Sequence, residues 1–148
     1  LLRLGIREET IQPRDEENED FKKAQSAIEA IRENENLGLK EARNEYLNEI
    51  TFTLFNRIAG IKTMETRRLI PEIITIRSKH GDRSFAHNVW LEENPNYENE
   101  RLEGLTQFVK DKFEELSDNL SLYSQDYPYD LLPEAHDLRD IITFLMKK

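Results

Sequence analysis

The stretch Ile50 to Ile70, ITFTLFNRIAGIKTMETRRLI, constrains this chain most. It is the longest apolar run in a sequence whose charged residues reach 34%, so any core must include it. Leu54, Ile58 and Ile61 recur at three- and four-residue spacing, which is one face of an α-helix. Phe52, Phe55 and Ala59 lie roughly opposite. A helix apolar on two sides is buried on nearly all sides. This one is therefore expected at the centre, contacted by several helices or by a neighbouring domain. Asn56 and Arg57 stand in its middle, where a core prefers no polar group. Either the arginine stem packs while its head escapes to solvent, or the guanidinium is buried against a carboxylate or carbonyl partner.

The rest of the chain can be read outward from that helix. Residues 1–14 are ambiguous: Leu1, Leu2, Leu4 and Ile6 suit a strand or a helix end, and Pro13 breaks the chain after them. An acidic run, Asp15 to Asp20, suits the first turn of a helix, where the dipole favours negative charge. Phe21, Ala24, Ile28 and Ile31 then predict a helix over about 16–33. Asn34 to Gly38 supplies a stop and a short turn. The long helix comes next, over about 39–67, with Leu39, Tyr46, Leu47, Ile50, Leu54, Ile58 and Ile61 as one stripe. Two helices joined this closely are expected to form an antiparallel pair. Residues 69–83 read as irregular, with Pro71 as the stop, a short strand at Ile73 to Ile76 and a turn at His80-Gly81-Asp82. Ser84 is the expected N-cap of a short third helix to Glu93. A fourth helix is expected over about 99–119. A Tyr-, Pro- and Asp-rich loop spans 120–132, and a last helix opens at Pro133. The expectation is one mainly α domain over 1–148, with about five helices around the 39–67 helix.

Charge is uneven. The chain carries −9, which argues against nonspecific nucleic-acid binding by the whole surface. From Arg57 to Arg83, however, seven basic residues (Arg57, Lys62, Arg67, Arg68, Arg77, Lys79, Arg83) meet three acids (Glu65, Glu72, Asp82). That segment is +4 and the remainder −13. On charge alone, pairing with the abundant acids accounts for these side chains, and such surface pairs contribute little. The functional alternative is phosphate contact from a helix end and the loop after it. The loop YSQDYPYDLL, Tyr123 to Leu132, has a similar choice: packed with satisfied tyrosine hydroxyls, or exposed as a docking site.

Catalytic chemistry finds little support. His80, His87 and His136 share no metal-ligand spacing, and no HExxH, Walker-type GxxxxGK or GxSxG occurs. No catalytic, cofactor-binding or metal-ligating residue is assigned. There is no cysteine, so disulfides and thiolate metal sites are excluded. No apolar run approaches the roughly 20 residues that span a bilayer, and no membrane partner is expected. Asn94-Pro95-Asn96-Tyr97 is one residue from NPPY, the tetrapeptide with which amino-group DNA methyltransferases hold a flipped base. The second proline is missing and no glycine-rich loop comes after a strand, so a helix stop explains it better. A start at Leu1 rather than Met suggests a piece cut from a longer chain.

Three stretches, FNRIAGIKTMETRRLIPEIIT at 55–75, HGDRSFAHNVWLEENP at 80–95 and KFEELSDNLSLYSQDYPYDLLP at 112–133, resemble one region of large adenine-specific DNA methyltransferases. These are PglX-type enzymes of BREX phage-defence systems and related restriction-modification methylases. The shared pattern is carried by Asn56, Arg57, Gly60, Ile61, Lys62, Met64, Glu65, Leu69, Ile70 and Pro71, and the resemblance covers roughly residues 40–148. It implies a helical region ahead of the catalytic domain, in a prokaryotic cytoplasmic enzyme. The parent enzyme would transfer a methyl group from S-adenosylmethionine to adenine N6 in DNA. The cofactor loop and NPPY of the family lie beyond this region. The resemblance thus implies an inactive pre-catalytic fragment, whose partners are its own catalytic domain and DNA, with other defence-system proteins as the alternative.

Overall fold

The computed structural model describes residues 1–146 and is mainly α-helical. Its helices are α1 (Glu19–Glu35), α2 (Leu39–Thr66), α3 (Phe85–Glu93), α4 (Leu105–Ser117) and α5 (Ala135–Met146). Two short strands, β1 (Ile76–Arg77) and β2 (Arg83–Ser84), lie between α2 and α3. The chain divides into two compact units. One comprises Leu1–Leu54 with Asp126–Leu131, the other Phe55–Gln125 with the chain from Leu132 on.

In the first unit, α1 begins at Glu19, three residues later than the pattern predicts. The cap decides it: Asn18 Oδ1 accepts from the Phe21 amide at 3.0 Å, while Asp15 Oδ1 accepts from Glu17 N and holds a turn ahead of the helix. Glu19 and Asp20 then complement the dipole. The helix ends where Asn36 turns left-handed, φ 53°. Phe21, Ala24, Ile28 and Ile31 of α1 share a core with Ala42 and Tyr46 of α2, Leu131, and Leu4 and Ile6 of the N-terminal segment. Each fully buried Phe or Ile there contributes about 1.5–3 kcal/mol. The ambiguous N-terminal residues are thus neither strand nor helix end. A single turn, Leu2–Leu4, leads through Gly5 (φ 79°) to an isolated antiparallel bridge, Ile6 to Ile11. A Cβ on Gly5 would stand 2.2 Å from the Gln12 carbonyl oxygen, so only glycine fits. Arg43 Nε donates to the Ile6 carbonyl at 3.1 Å, and Lys23 pairs with Asp130 at 2.7 Å.

In the second unit, α4 packs against both α3 and α5. Ile58, Ile61, Ile73, Ile74, Trp90, Phe108, Phe113, Leu138 and Ile142 are buried there. α3 starts as predicted, with Ser84 Oγ accepting from the His87 amide at 3.0 Å. α4 does not. The pattern places its start at Asn99, yet it begins at Leu105, because Leu102 (φ 49°), Glu103 (φ 51°) and Gly104 (φ 71°) run left-handed and break the helical path. The strand also shifts from its expected place at Ile73 to Ile76. Ile76 pairs with Ser84 and Arg77 with Arg83, antiparallel, across a turn closed by Gly81 (φ 68°) and Asp82 (φ 61°).

Near-complete burial of α2 does not hold among the described residues. Tyr46, Leu54, Ile58 and Ile61 are buried, but Phe52 is 66% exposed. Ala59 is exposed as well and Phe55 is half-buried, so nothing described covers the second apolar side.

Candidate nucleic-acid interface

The seven basic residues of the 57–83 segment take three different roles. Arg57 is 1% exposed. Its Nε donates to the Leu122 carbonyl at 2.7 Å and its Nη2 to the Ser124 carbonyl at 3.1 Å. The guanidinium lies over the Phe113 ring, 5.1 Å from its centre. The Tyr123 hydroxyl donates back to the Arg57 carbonyl at 2.6 Å. Of the two sequence-level options, the buried one with carbonyl partners is realised. A guanidinium so enclosed does not reach the surface as a phosphate contact requires, and Arg57 leaves the set of contact candidates. Lys62 Nζ donates to the Leu145 carbonyl at 3.2 Å, near the C-terminal end of α5, where a cation suits the dipole.

Arg77 and Arg83 pair with acids. Arg77 forks onto Glu72 with bonds of 3.2 and 2.7 Å. That bond, helped by the charges of Lys79 and His80, holds the Glu72 carboxyl below its usual range. Arg83 Nη2 donates to Asn88 Oδ1 at 3.0 Å and Nη1 lies 3.8 Å from Glu103 Oε1.

Arg67, Arg68 and Lys79 are exposed, and their side chains make no hydrogen bond or ion pair among the described residues. The first two close α2. Arg68 N donates to the Glu65 carbonyl at 3.0 Å and Leu69 N to the Met64 carbonyl at 2.9 Å. With Arg68 left-handed at φ 59°, this is a Schellman ending. Lys79 sits on the hairpin turn Ser78–His80. Arg68, Leu69, Ile70, Pro71, Glu72 and Arg77 line one shallow depression.

Two of the three acids in this segment are engaged. Glu65 Oε2 accepts the amides of Ile73 at 2.8 Å and Ile74 at 2.7 Å, and its Oε1 accepts the Thr75 hydroxyl at 2.5 Å. Glu72 holds Arg77. The third, Asp82, is exposed on the hairpin turn. The sequence hides the role of Glu65, because nothing local marks a helix carboxylate that will cap amides eight and nine residues on. The left-handed Arg68 does leave a signal: the helix stops before Pro71 with no Gly or Asn to take the C-terminal turn.

The histidines go separate ways. His80 packs on Phe85 with ring centres 5.7 Å apart, and His136 is exposed. His87 is buried, stacked on Phe108 at 4.6 Å, with Nε2 2.8 Å from the Glu103 carbonyl. A carbonyl only accepts, so Nε2 carries the proton. Burial chiefly lowers the His87 pKa; the Glu103 carbonyl opposes this, and the nearby Arg83 and Arg139 charges add to it. No group of three His, Asp or Glu side chains among the described residues converges as a metal would need.

The segment Asn94 to Tyr97 ends α3. Asn94 Nδ2 donates to the Trp90 carbonyl at 2.9 Å, and the Tyr97 ring lies 5.0 Å from that of Trp90. Tyr97 also fills the space beside Gly104, where a Cβ would meet its ring at 2.8 Å. β2 passes into α3 at Ser84 with no glycine loop. In the loop 120–132, Tyr123 is buried and Tyr129 half-buried, with Tyr127 edge-on to Tyr129 at 5.7 Å. Among the described residues no helix is long and apolar enough to cross a membrane.

Comparison with protein-family models, with curated proteins and with solved structures gives no match to this chain.

Proposed function

We propose that this chain is a non-catalytic helical region of a prokaryotic adenine-specific DNA methyltransferase of a phage-defence or restriction-modification system. It supports the catalytic domain and helps to position DNA. The three stretches that resemble PglX-type enzymes support the parentage, and methyl transfer from S-adenosylmethionine belongs to the parent enzyme. One observation carries the DNA-positioning role. Arg67, Arg68 and Lys79 stand exposed at the end of α2 and on the hairpin turn; Glu65 and Glu72 are engaged, and Asp82 is the one acid of the segment left exposed. The charge of Arg67 and Arg68 is therefore offered outward, and Arg77 can exchange its forked Glu72 carboxylate for a phosphate, which accepts the same two-bond geometry. A docking role for the loop 120–132 gains less, because Tyr123 faces inward.

Salt-dependent binding to a short duplex tests this reading. Each phosphate contact contributes about −0.9 to the slope of log K against log salt. The unmodified chain, with four phosphate contacts, is expected to show a slope of about −3.6, and Arg67→Ala/Arg68→Ala/Arg77→Ala/Lys79→Ala a slope near zero. Weak binding of both proteins with no salt slope would sink the reading.

A further inference from the structure

Two side chains at the end of α2 break local rules together. The position after a helix that turns left-handed is ordinarily glycine, because an L side chain there crowds the backbone. Here it is Arg68, φ 59°. The next residue of a Schellman ending ordinarily tucks against the last turn of its own helix. Here it is Leu69, which is 69% exposed, the highest value among the large apolar side chains described. Looseness does not explain this. Both backbone bonds of the ending are made, Pro71 fixes its own φ, and Glu65 holds the amides of Ile73 and Ile74 and the hydroxyl of Thr75. Leu69 is held out on a built turn with an exposed arginine at each of the two preceding positions. Places where a sequence forgoes the locally favoured residue without a packing gain are where function is expected.

Resting on the DNA-binding reading above, we infer that Leu69 is an apolar wedge that enters the minor groove between base pairs. Arg67 and Arg68 hold the flanking phosphates. Proteins that bind the minor groove pair cationic side chains with a Leu, Ile, Phe, Met or Pro that unstacks one base step and kinks the duplex. The charge chooses this occupant: the tip is cationic and its neighbouring carboxylates are engaged, so a polyanion suits it and an apolar protein face does not.

The test uses a short duplex carrying a fluorescent donor and acceptor at its ends, with affinity and salt slope measured together. The 148-residue chain is expected to shorten the end-to-end distance. Leu69→Ala should keep the salt slope, bind about tenfold more weakly and leave the duplex straight. Arg68→Gly should raise the melting temperature of the protein by relieving the left-handed strain, yet lose about 0.9 from the salt slope. A duplex that stays straight with the unmodified chain, or that bends equally with Leu69→Ala, overturns the wedge while the DNA reading stands. No salt-dependent DNA binding at all removes both. Binding to vesicles of phosphatidylcholine and phosphatidylserine that depends on Leu69, with no duplex binding, overturns the wedge and assigns the tip to an anionic membrane surface.

Discussion

Arg57 shows how a charge can stand in the middle of an apolar helix. Its fork satisfies the Leu122 and Ser124 carbonyls while the Tyr123 hydroxyl satisfies its own. An enclosed charge is tolerated only when its donors are used. The sequence could offer this arrangement as one of two options but not choose it, because the partners lie more than sixty positions away. Gly60 completes the clasp: a Cβ there would sit 2.7 Å from the Tyr123 hydroxyl oxygen. Two effects compete in Gly60→Ala. Alanine ordinarily gains about 1 kcal/mol over glycine inside a helix, while forcing a methyl into filled space costs about 1–3 kcal/mol. The Tyr123 ring is buried against Phe113, centres 5.3 Å apart, and cannot swing away. Gly60→Ala is therefore expected to destabilise the protein, read as a lower urea midpoint than the unmodified chain. A higher midpoint would mean that the clasp yields freely.

At the level of the element, legibility depended on how local the cause was. Ser84 announced α3 because a cap acts over three residues, and the apolar spacing of α1 survived intact, whereas in the α2 stripe Tyr46, Leu54, Ile58 and Ile61 are buried and Leu47 is exposed. The start of α4 was hidden, since neither Leu102 nor Glu103 favours a positive φ. The Glu103 carbonyl accepts there from the His87 ring of α3, a contact that no local pattern announces. The exposure of Phe52 was equally hidden, because periodicity shows which faces are apolar and not what covers them. The seat of His87 has a pH signature. Its folded pKa lies below the unfolded value near 6.5, chiefly through burial. Just below pH 6.5 the unfolded chain takes up a proton that the folded one refuses. This contribution is therefore intact above about pH 6.5 and declines as pH falls from there through the folded pKa. Unfolding by urea at several pH values is expected to show a smaller acid-side loss in His87→Gln than in the unmodified chain. Equal losses would assign the acid sensitivity to the carboxylates.

Across the whole molecule, charge tracks the division into units. The first unit holds eight basic and fifteen acidic residues, −7, and the second thirteen and fifteen, −2. Within the second, the 57–83 segment is +4, which leaves −6 for its remainder. By net charge, a polyanion is favoured only along that segment. Burial then removes Arg57 from it, and Lys62 and Arg83 are engaged within the second unit. The end of α2 and the hairpin turn stay available. The basic segment could be counted in the sequence, but its division into buried, engaged and exposed members depended on contacts that only the fold brings together. The most direct measurement is a titration of the isotope-labelled chain with a short DNA duplex, tracked through backbone amide resonances. Shifts are expected to gather at residues 66–71 and 78–80, with none in residues 1–54. Shifts centred on the acidic first unit, or none at Arg67, Arg68 and Leu69, would contradict a DNA-facing tip at the end of α2.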